Sequence, residues 1–274
     1  MNYRCQIRKG CVSIAFLICM QVLQAQQIMN RDPQIDGMIN EVSPDTLRSY
    51  IDKLVSFGTR STLSSTTDKK RGIGAAREWV FIKFQQFAQK SVGRLSAVID
   101  TVTLAADKRR LDTAINLGNV IATLKGTDPN DKRVFMISGH IDSRSTNVMN
   151  RSNDAPGAND DGSGVAAVLE TARIMCKQSF PATIIFAVFS GEEQGLLGAE
   201  FMAAKMKKEQ VELEALLNND IMGSNNSNGT NIINNTMVRV FSEGLPAFET
   251  DKKAGMIRSM GMENDGASRQ LARY

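Results

Sequence analysis

The residues of this sequence that could do chemistry are one imidazole and six carboxylates, placed in four short polar motifs. The motifs are GHID, GANDDGSG, SGEEQG and NND, and they contain His140, Asp142, Asp160, Asp161, Glu192, Glu193 and Asp220. His140 is the only histidine among 274 residues, and histidine is the commonest metal ligand in proteins. Neighbouring carboxylates raise each other's pKa, so we expect cations to neutralise them. Imidazole and carboxylates without thiolate suit zinc or another divalent first-row metal at a catalytic site.

Each motif alone also has an ordinary structural interpretation. A lone His-x-Asp is typical of a turn, and Asp160 and Asp161 could cap the helix predicted after them. Glu192 and Glu193 could be first-turn acids of another helix, and Asp220 could belong to a turn. Chemistry is favoured by the fact that all four motifs stand where predicted strands end or helices begin. In open α/β sheets, sites form outside the carboxyl ends of the strands.

Predicted strands and helices alternate along the chain. Strands are predicted in LSAVIDTVTL, on both sides of the GTDPND turn, in ATIIFAVFS, in LEALLNND and in MVRVF. Helices are predicted after the N-cap Ser43, in KKRGIGAAREWVFIKFQQFAQKS, in SGVAAVLETARIMCK and in GLLGAEFMAAKMKKE. STLSSTTD, at 61–68, is predicted to be a polar loop. The alternation indicates an α/β sheet with both faces covered.

The first 25 residues have the pattern of a secretory signal peptide. Three basic residues precede an apolar run at about 11–23, which is too short to span a bilayer comfortably, and the small Ala25 follows. Lipoprotein anchoring at Cys19 is disfavoured because the bulky Ile18 precedes it. We therefore expect export to the periplasm or the cell exterior, with no integral membrane span.

Removal of the signal peptide changes the charge and the cysteine count. It takes away three positive charges and no negative ones, so the formal net charge falls from +4 to +1. The basic pI of the whole chain is therefore no argument for nucleic-acid binding. Cys176 becomes the single cysteine, so no internal disulfide is expected.

The ordered set of four motifs resembles peptidase family M28, the co-catalytic zinc aminopeptidases. SGHIDSR, APGANDDGSGVAAVLE, FAVFSGEEQGLLGAE and NNDIMG carry the resemblance, which runs from about Asn119 to Gly223. It implies the zinc-dependent exopeptidase fold, with three layers and a mostly parallel or mixed central sheet between helices. The implied domains are a signal peptide (1–25), an N-terminal extension (26–42) and a zinc peptidase domain (43–274) that lacks its C-terminal part.

The resemblance implies a two-zinc site. His140 and Asp220 would bind one zinc and Glu193 the second. Asp160 would bridge the two ions, with the Asp160–Asp161 peptide bond in the cis form. Two such ions can share a water molecule and lower its pKa.

The resemblance also implies how the reaction proceeds. Glu192 would be the general base, removing a proton from the water and returning it to the leaving amine. Asp142 would accept the other ring N–H of His140 and thereby fix its tautomer. The substrates would be the N-termini of peptides or proteins, because a free α-amine can lie near a metal and Asp220.

The sequence departs from the family pattern after NNDIMG. The family uses a fifth ligand, a histidine near the C-terminus, and no histidine follows His140 here. The last residues, ENDGASRQLARY, have the pattern of a helix start without a C-cap, which favours a truncated chain. The first zinc would keep all its protein ligands, whereas the second would keep only Asp160 and Glu193. We expect this chain to hold at most one zinc well and to have little activity alone.

Three functions are open at this point. The leading one is a secreted zinc aminopeptidase. Glutaminyl cyclase, a single-zinc acyltransferase of the same structural family, depends on the same missing histidine. A non-catalytic binding relative is less favoured because such relatives usually lose several ligands, and a serine hydrolase is disfavoured because no G-x-S-x-G elbow is present.

Overall fold

The computed structural model describes residues 32–226, 233–242, 244–245, 251–261 and 266–272. The predicted signal peptide lies outside these residues. Within them, no helix has both the length and the apolar character needed to cross a bilayer. The helices and strands in chain order are α1 (Pro33–Asn40), α2 (Pro44–Val55), α3 (Gly72–Ala88), β1 (Leu95–Leu104), β2 (Ile115–Leu124), β3 (Arg133–His140), α4 (Gly162–Met175), β4 (Thr183–Phe189), α5 (Leu197–Lys208), β5 (Glu212–Asn218), α6 (Asp251–Ser259) and α7 (Ala267–Leu271).

The five strands form one mixed sheet in the order β1-β2-β4-β3-β5. β2 pairs antiparallel with both β1 and β4, and β3 pairs parallel with β4 and with β5. The β3–β4 register runs from Val134 opposite Thr183 to His140 opposite Phe189. The carboxyl ends of β3, β4 and β5 therefore meet at the same edge of the sheet, which is where an α/β site is expected.

Helices cover both faces of the sheet, as predicted. Successive side chains of a strand point to opposite faces, so β4 contributes to two cores. The larger core contains α2, α3 and α4, together with Ile184, Phe186 and Val188 of β4. The smaller core lies against α5 and contains Ile185, Ala187 and Phe189 of β4. The three-layer arrangement follows directly from this alternation.

Glycine is required where α4 begins against the sheet. A Cβ on Gly164 would lie 2.3 Å from the carbonyl oxygen of Asn219 and 2.4 Å from Oδ2 of Asp161. No larger residue fits between these groups without moving the backbone. Gly164 thus lets the N-terminus of α4 approach the carboxyl ends of β3 and β5 closely, and this approach brings the polar motifs together.

One strand prediction is wrong. MVRVF, at 237–241, is not a strand. Its apolar side chains are largely exposed, Phe241 to 84%, so this segment has no sheet face or core to bury them. The loop predicted at 61–68 contains no helix or strand, as expected, but its first part is buried: Ser61, Thr62 and Ser64 are almost fully enclosed, as is the preceding Arg60. The buried polar segment 59–64 lies behind the site described below.

β5 is the least covered strand. Both of its faces are exposed over nearly its whole length, and Leu213, Leu216 and Leu217 are 43%, 47% and 55% exposed. Among the described residues, it pairs only with β3.

Candidate metal centre

The four polar motifs converge at the carboxyl edge of the sheet. His140 is the last residue of β3, and Asp160 precedes the N-terminus of α4. Glu192 follows β4, and Asp220 follows β5. His140 Nε2 lies 3.1 Å from Asp160 Oδ1, 3.9 Å from Glu192 Oε2 and 4.0 Å from Asp220 Oδ2. The structure therefore brings these four predicted residues to one place.

The tautomer of His140 follows from its neighbours. Its Nδ1 lies 3.0 Å from the main-chain carbonyl oxygen of Asp142. A carbonyl oxygen only accepts hydrogen bonds, so in the neutral imidazole Nδ1 carries the proton and Nε2 keeps a lone pair towards Asp160. The carboxylate of Asp142 is farther from Nδ1, at 3.6 Å. The main-chain oxygen of Asp142, more than its carboxylate, is thus placed to orient the ring.

The carboxylate of Asp142 orients the Glu192–Glu193 turn. It is fully buried and accepts hydrogen bonds from the main-chain N–H groups of Glu192, at 3.2 Å, and Glu193, at 3.1 Å. The hydroxyl of Thr62 donates a third, at 3.0 Å. Asp142 is therefore placed to fix the position of the Glu192 backbone relative to β3.

Asp161 caps α4 and joins three segments. Its carboxylate accepts hydrogen bonds from the N–H groups of Gly164 (2.9 Å), His140 (2.9 Å) and Ile221 (3.3 Å). Burial raises its pKa to about 7, although the charge of His140 and the two shorter hydrogen bonds act against this. Of the two aspartates that could cap this helix, Asp160 and Asp161, it is Asp161 that forms the N-cap. The peptide bond before it is cis, as the family resemblance implied.

The donor set fits a zinc ion. One ligand atom each of His140, Asp160 and Asp220 lie within 4.8 Å of one another. Ligands of a tetrahedral zinc, about 2.0–2.2 Å from the ion, lie about 3.3–3.6 Å apart, which the observed 3.1 and 4.0 Å from His140 bracket. Burial lowers the pKa of His140, but Asp142, Asp161 and Glu192 outweigh burial and raise it to about 10. This concentration of negative charge around an imidazole attracts a cation.

Glu193 stands apart from this group. Its Oε2 lies 2.7 Å from Nε of Arg144, and its main-chain oxygen accepts a hydrogen bond from Arg110. Burial and the charge of Asp160 raise its pKa, whereas Arg144 lowers it. A cavity of about 330 Å³ opens beside these side chains and Glu192, next to Gly195 and Leu196.

Comparison with known proteins gives the family. The sequence profile of "Peptidase family M28" matches residues 119–247, which include all four motifs. A "Probable zinc metalloprotease" of Pyricularia oryzae is 44% identical over 244 residues, which cover 89% of this chain and 48% of that protein. The chain belongs to peptidase family M28. This M28 chain spans about half the length of the curated relatives it matches.

Solved structures show the fold of this M28 chain. The LapA aminopeptidase of Legionella pneumophila matches with a TM-score of 0.57 at 20% identity, over 73% of this chain and 48% of that one. Glutaminyl cyclase of Porphyromonas gingivalis matches with a TM-score of 0.53 at 21% identity, over 67% and 61% respectively. These matches confirm the predicted three-layer exopeptidase fold.

Sequence analysis missed Arg60, a residue that lies near the candidate metal centre of this M28 chain. Its side chain is fully enclosed, and its guanidinium donates hydrogen bonds only to main-chain oxygens among the described residues. Burial lowers its pKa to about 10, while the charges of Asp142, Asp161 and Asp160 oppose this, so it is charged at neutral pH. Arginine is mostly exposed in proteins, and nothing in the letters FGTRST marks this one as buried.

Proposed function

We propose that this chain carries the catalytic residues of an exported zinc aminopeptidase, which removes N-terminal residues from peptides. The observation that carries the proposal is the convergence of His140, Asp160 and Asp220 beside Glu192. The name of the Pyricularia oryzae relative, a probable zinc metalloprotease, supports both zinc and proteolysis.

His140, Asp160 and Asp220 would hold one zinc, and Asp160 and Glu193 would contribute to a second. A bound zinc polarises the scissile carbonyl and lowers the pKa of a water molecule. Two carboxylates are few ligands for a zinc, and Glu193 is already paired with Arg144. We therefore propose that this chain by itself holds one zinc well and turns over slowly.

Glu192 would be the general base. Burial raises its pKa, as do the charges of Asp142, Asp220 and Asp160, whereas His140 lowers it. A raised pKa brings a carboxylate closer to the operating pH, which suits proton transfer. Glu192 would accept a proton from the attacking water and deliver it to the leaving amine.

Asp220 would select chain ends. Its side chain is 40% exposed, so its carboxylate can accept a hydrogen bond from the α-ammonium group of a substrate. An internal peptide bond offers no such charge, and pairing with Asp220 would favour the N-terminal residue.

The proposal is tested by incubating the zinc-loaded chain, at high protein concentration, with aminoacyl anilides and with peptides that begin with glutamine. Release of the aniline, stopped by a chelator and restored by zinc, is the expected result. Cyclisation of N-terminal glutamine without hydrolysis would identify a glutaminyl cyclase instead. Zinc binding without either reaction would leave a non-catalytic binding protein.

Glutaminyl cyclase is kept as the second candidate because of one observation. The described residues contain a single three-donor group, of His140, Asp160 and Asp220, and a single-zinc enzyme needs no more than one such group.

Replacing Glu192 with Gln is expected to lower anilide hydrolysis by about 10²–10⁴-fold, because an amide of the same size cannot take a proton. Zinc affinity should stay at the wild-type value. Single-turnover assays with excess protein keep slow hydrolysis measurable. Glu200→Gln makes the same charge change on the exposed side of α5 and should leave the rate unchanged; a Glu192→Gln protein as active as wild type would remove Glu192 from the mechanism.

Export also belongs to the proposal. It is based on the basic residues and apolar run at 1–25. N-terminal sequencing of the protein produced with its natural leader tests it, since a first residue of Met1 in all of the recovered protein would contradict cleavage.

A further inference from the structure

Arg60 occupies an unusual environment for a charged side chain. It is fully buried, and its guanidinium donates four hydrogen bonds. Nε binds the oxygen of Ile141 at 2.7 Å, and Nη2 binds that of Gly157 at 2.9 Å. Nη1 binds the oxygens of Leu54 at 3.2 Å and Pro156 at 2.5 Å. All four acceptors are neutral carbonyls, so these contacts satisfy the hydrogen-bonding groups of Arg60 without neutralising its charge.

Three of these carbonyls lie on the segments that carry the metal ligands. Ile141 lies between His140 and Asp142 in the sequence. The position of its main chain therefore fixes the main chain of His140, from which the imidazole projects. Pro156 and Gly157 open the short segment that leads to Asp160. The planar fork of one guanidinium thus links the end of β3 to the segment before α4, in a geometry that a lysine ammonium cannot reproduce.

The main chain of Arg60 extends the same connection. Its N–H donates to Oγ of Ser143 at 3.1 Å, and that hydroxyl donates to the oxygen of Ala155 at 2.6 Å. The N–H of Ser143 in turn donates to the oxygen of Arg60 at 3.4 Å. Two residues further on, Thr62 binds the carboxylate of Asp142. The buried segment 59–64 therefore connects the GHID motif to the segment before Asp160 by several independent bonds.

The charge of Arg60 also faces the acidic group. Asp142, Asp161 and Asp160 are the charges that favour its protonated form. A buried charge that is not paired with a carboxylate is only weakly screened, so its field reaches these neighbours. A fixed positive charge here offsets part of the repulsion among carboxylates that must lie side by side to hold one cation.

We propose that Arg60 is a positioning residue of the metal centre: its guanidinium fixes the separation of His140 and Asp160 and stabilises the clustered carboxylates. Arg60 does not touch the ion in this role. The proposal rests on the proposed function only in taking zinc as the ion, and it concerns zinc affinity rather than catalysis.

Arg60→Lys and Arg60→Met are the test variants, and Zn²⁺ alone is the probe. Both are titrated with zinc against a chelating dye, and thermal unfolding is followed with and without saturating zinc. Arg60→Lys keeps the charge but loses the fork, and loss of a partner that orients ligands typically weakens metal binding by about 10–100-fold. Arg60→Met also loses the charge and should bind zinc more weakly still.

Arg77→Lys is the matched control. Arg77 is also a buried arginine that donates to a main-chain oxygen, that of Asn116 at 3.3 Å, but it belongs to α3, and this bond does not reach the GHID motif or the segment before Asp160. The Arg77→Lys variant should have a lower Tm and an unchanged zinc affinity. This control separates a general loss of stability from a specific effect on the metal centre.

The rise in Tm that zinc produces reports affinity for the native state even in a destabilised protein. A rise for Arg60→Lys equal to that of wild type, together with an unchanged dye titration, would overturn the proposal. An equal loss of affinity in Arg77→Lys would overturn it as well. If the wild-type chain binds no zinc, the proposed function itself fails. This outcome is distinct from the two results above, in which the wild-type chain binds zinc.

Discussion

Replacing His140 with Ala is expected to lower the zinc affinity of the chain by about 10²–10³-fold. Structural zinc sites with four ligands bind with about 10–16 kcal/mol, so one ligand accounts for roughly a quarter of this. His140 supplies the single imidazole of the sequence, and its Nε2 is the atom around which Asp160, Glu192 and Asp220 gather. No other side chain in the sequence can replace it as a nitrogen ligand of this type.

The measurement is competition with a chelating dye, which gives both affinity and stoichiometry. The wild-type chain should bind one zinc equivalent tightly, and Glu200→Gln should bind like wild type. Because His140 is buried, circular dichroism must first show that the Ala variant is folded. Two tightly bound equivalents in the wild type would contradict the single-ion proposal, and unchanged affinity in His140→Ala would place the zinc elsewhere.

Asp161→Ala is expected to lower the free energy of unfolding by at least about 2 kcal/mol, without removing a zinc ligand. The substitution leaves three main-chain N–H groups, of His140, Gly164 and Ile221, without their acceptor. The N–H groups of His140 and Gly164 are buried, and each unsatisfied buried donor costs about 1–3 kcal/mol. Asp161→Asn should lower the free energy of unfolding by less, because the amide keeps one oxygen that can still accept a hydrogen bond from these N–H groups. Urea denaturation of the zinc-free proteins gives these values.

Asp160 supplies the matched comparison, one residue earlier in the chain. Its carboxylate is 52% exposed and lies against the imidazole of His140. Asp160→Asn should therefore change the stability of the zinc-free protein little and weaken zinc binding strongly. If Asp161→Ala were as stable as wild type, or if the two variants behaved alike, this division of roles between adjacent aspartates would be wrong.

The general position of the site was predictable from sequence. The strands before GHID, SGEEQG and NND are clear apolar runs, and parallel strands end at a common edge. His140, Glu192 and Asp220 could therefore be assigned to one place before any coordinates were known. The helix cap of α4 was also predictable, although the motif does not show which aspartate is the cap and which faces the imidazole.

What was not predictable depends on tertiary contacts. Arg60 is a charged residue in a polar stretch, and only the carbonyl groups that surround it explain its burial. The pairing of Arg144 with Glu193 joins two motifs about fifty residues apart and has no local signal. The segment 237–241 has strand-like residues, but strand propensity needs a neighbouring strand and a core face to become structure.

The exposed strand β5 has a consequence for how long an ion stays bound. Asp220 lies two residues after the end of β5, whereas His140 ends the better covered β3. Local opening begins where few apolar contacts hold the backbone, so we expect β5 to detach first and to withdraw one ligand while two stay in place. By linkage, an ion that needs Asp220 also stabilises β5. Release of the ion and opening of β5 are thus coupled, so we expect the stability of this strand to govern how long the chain keeps its ion.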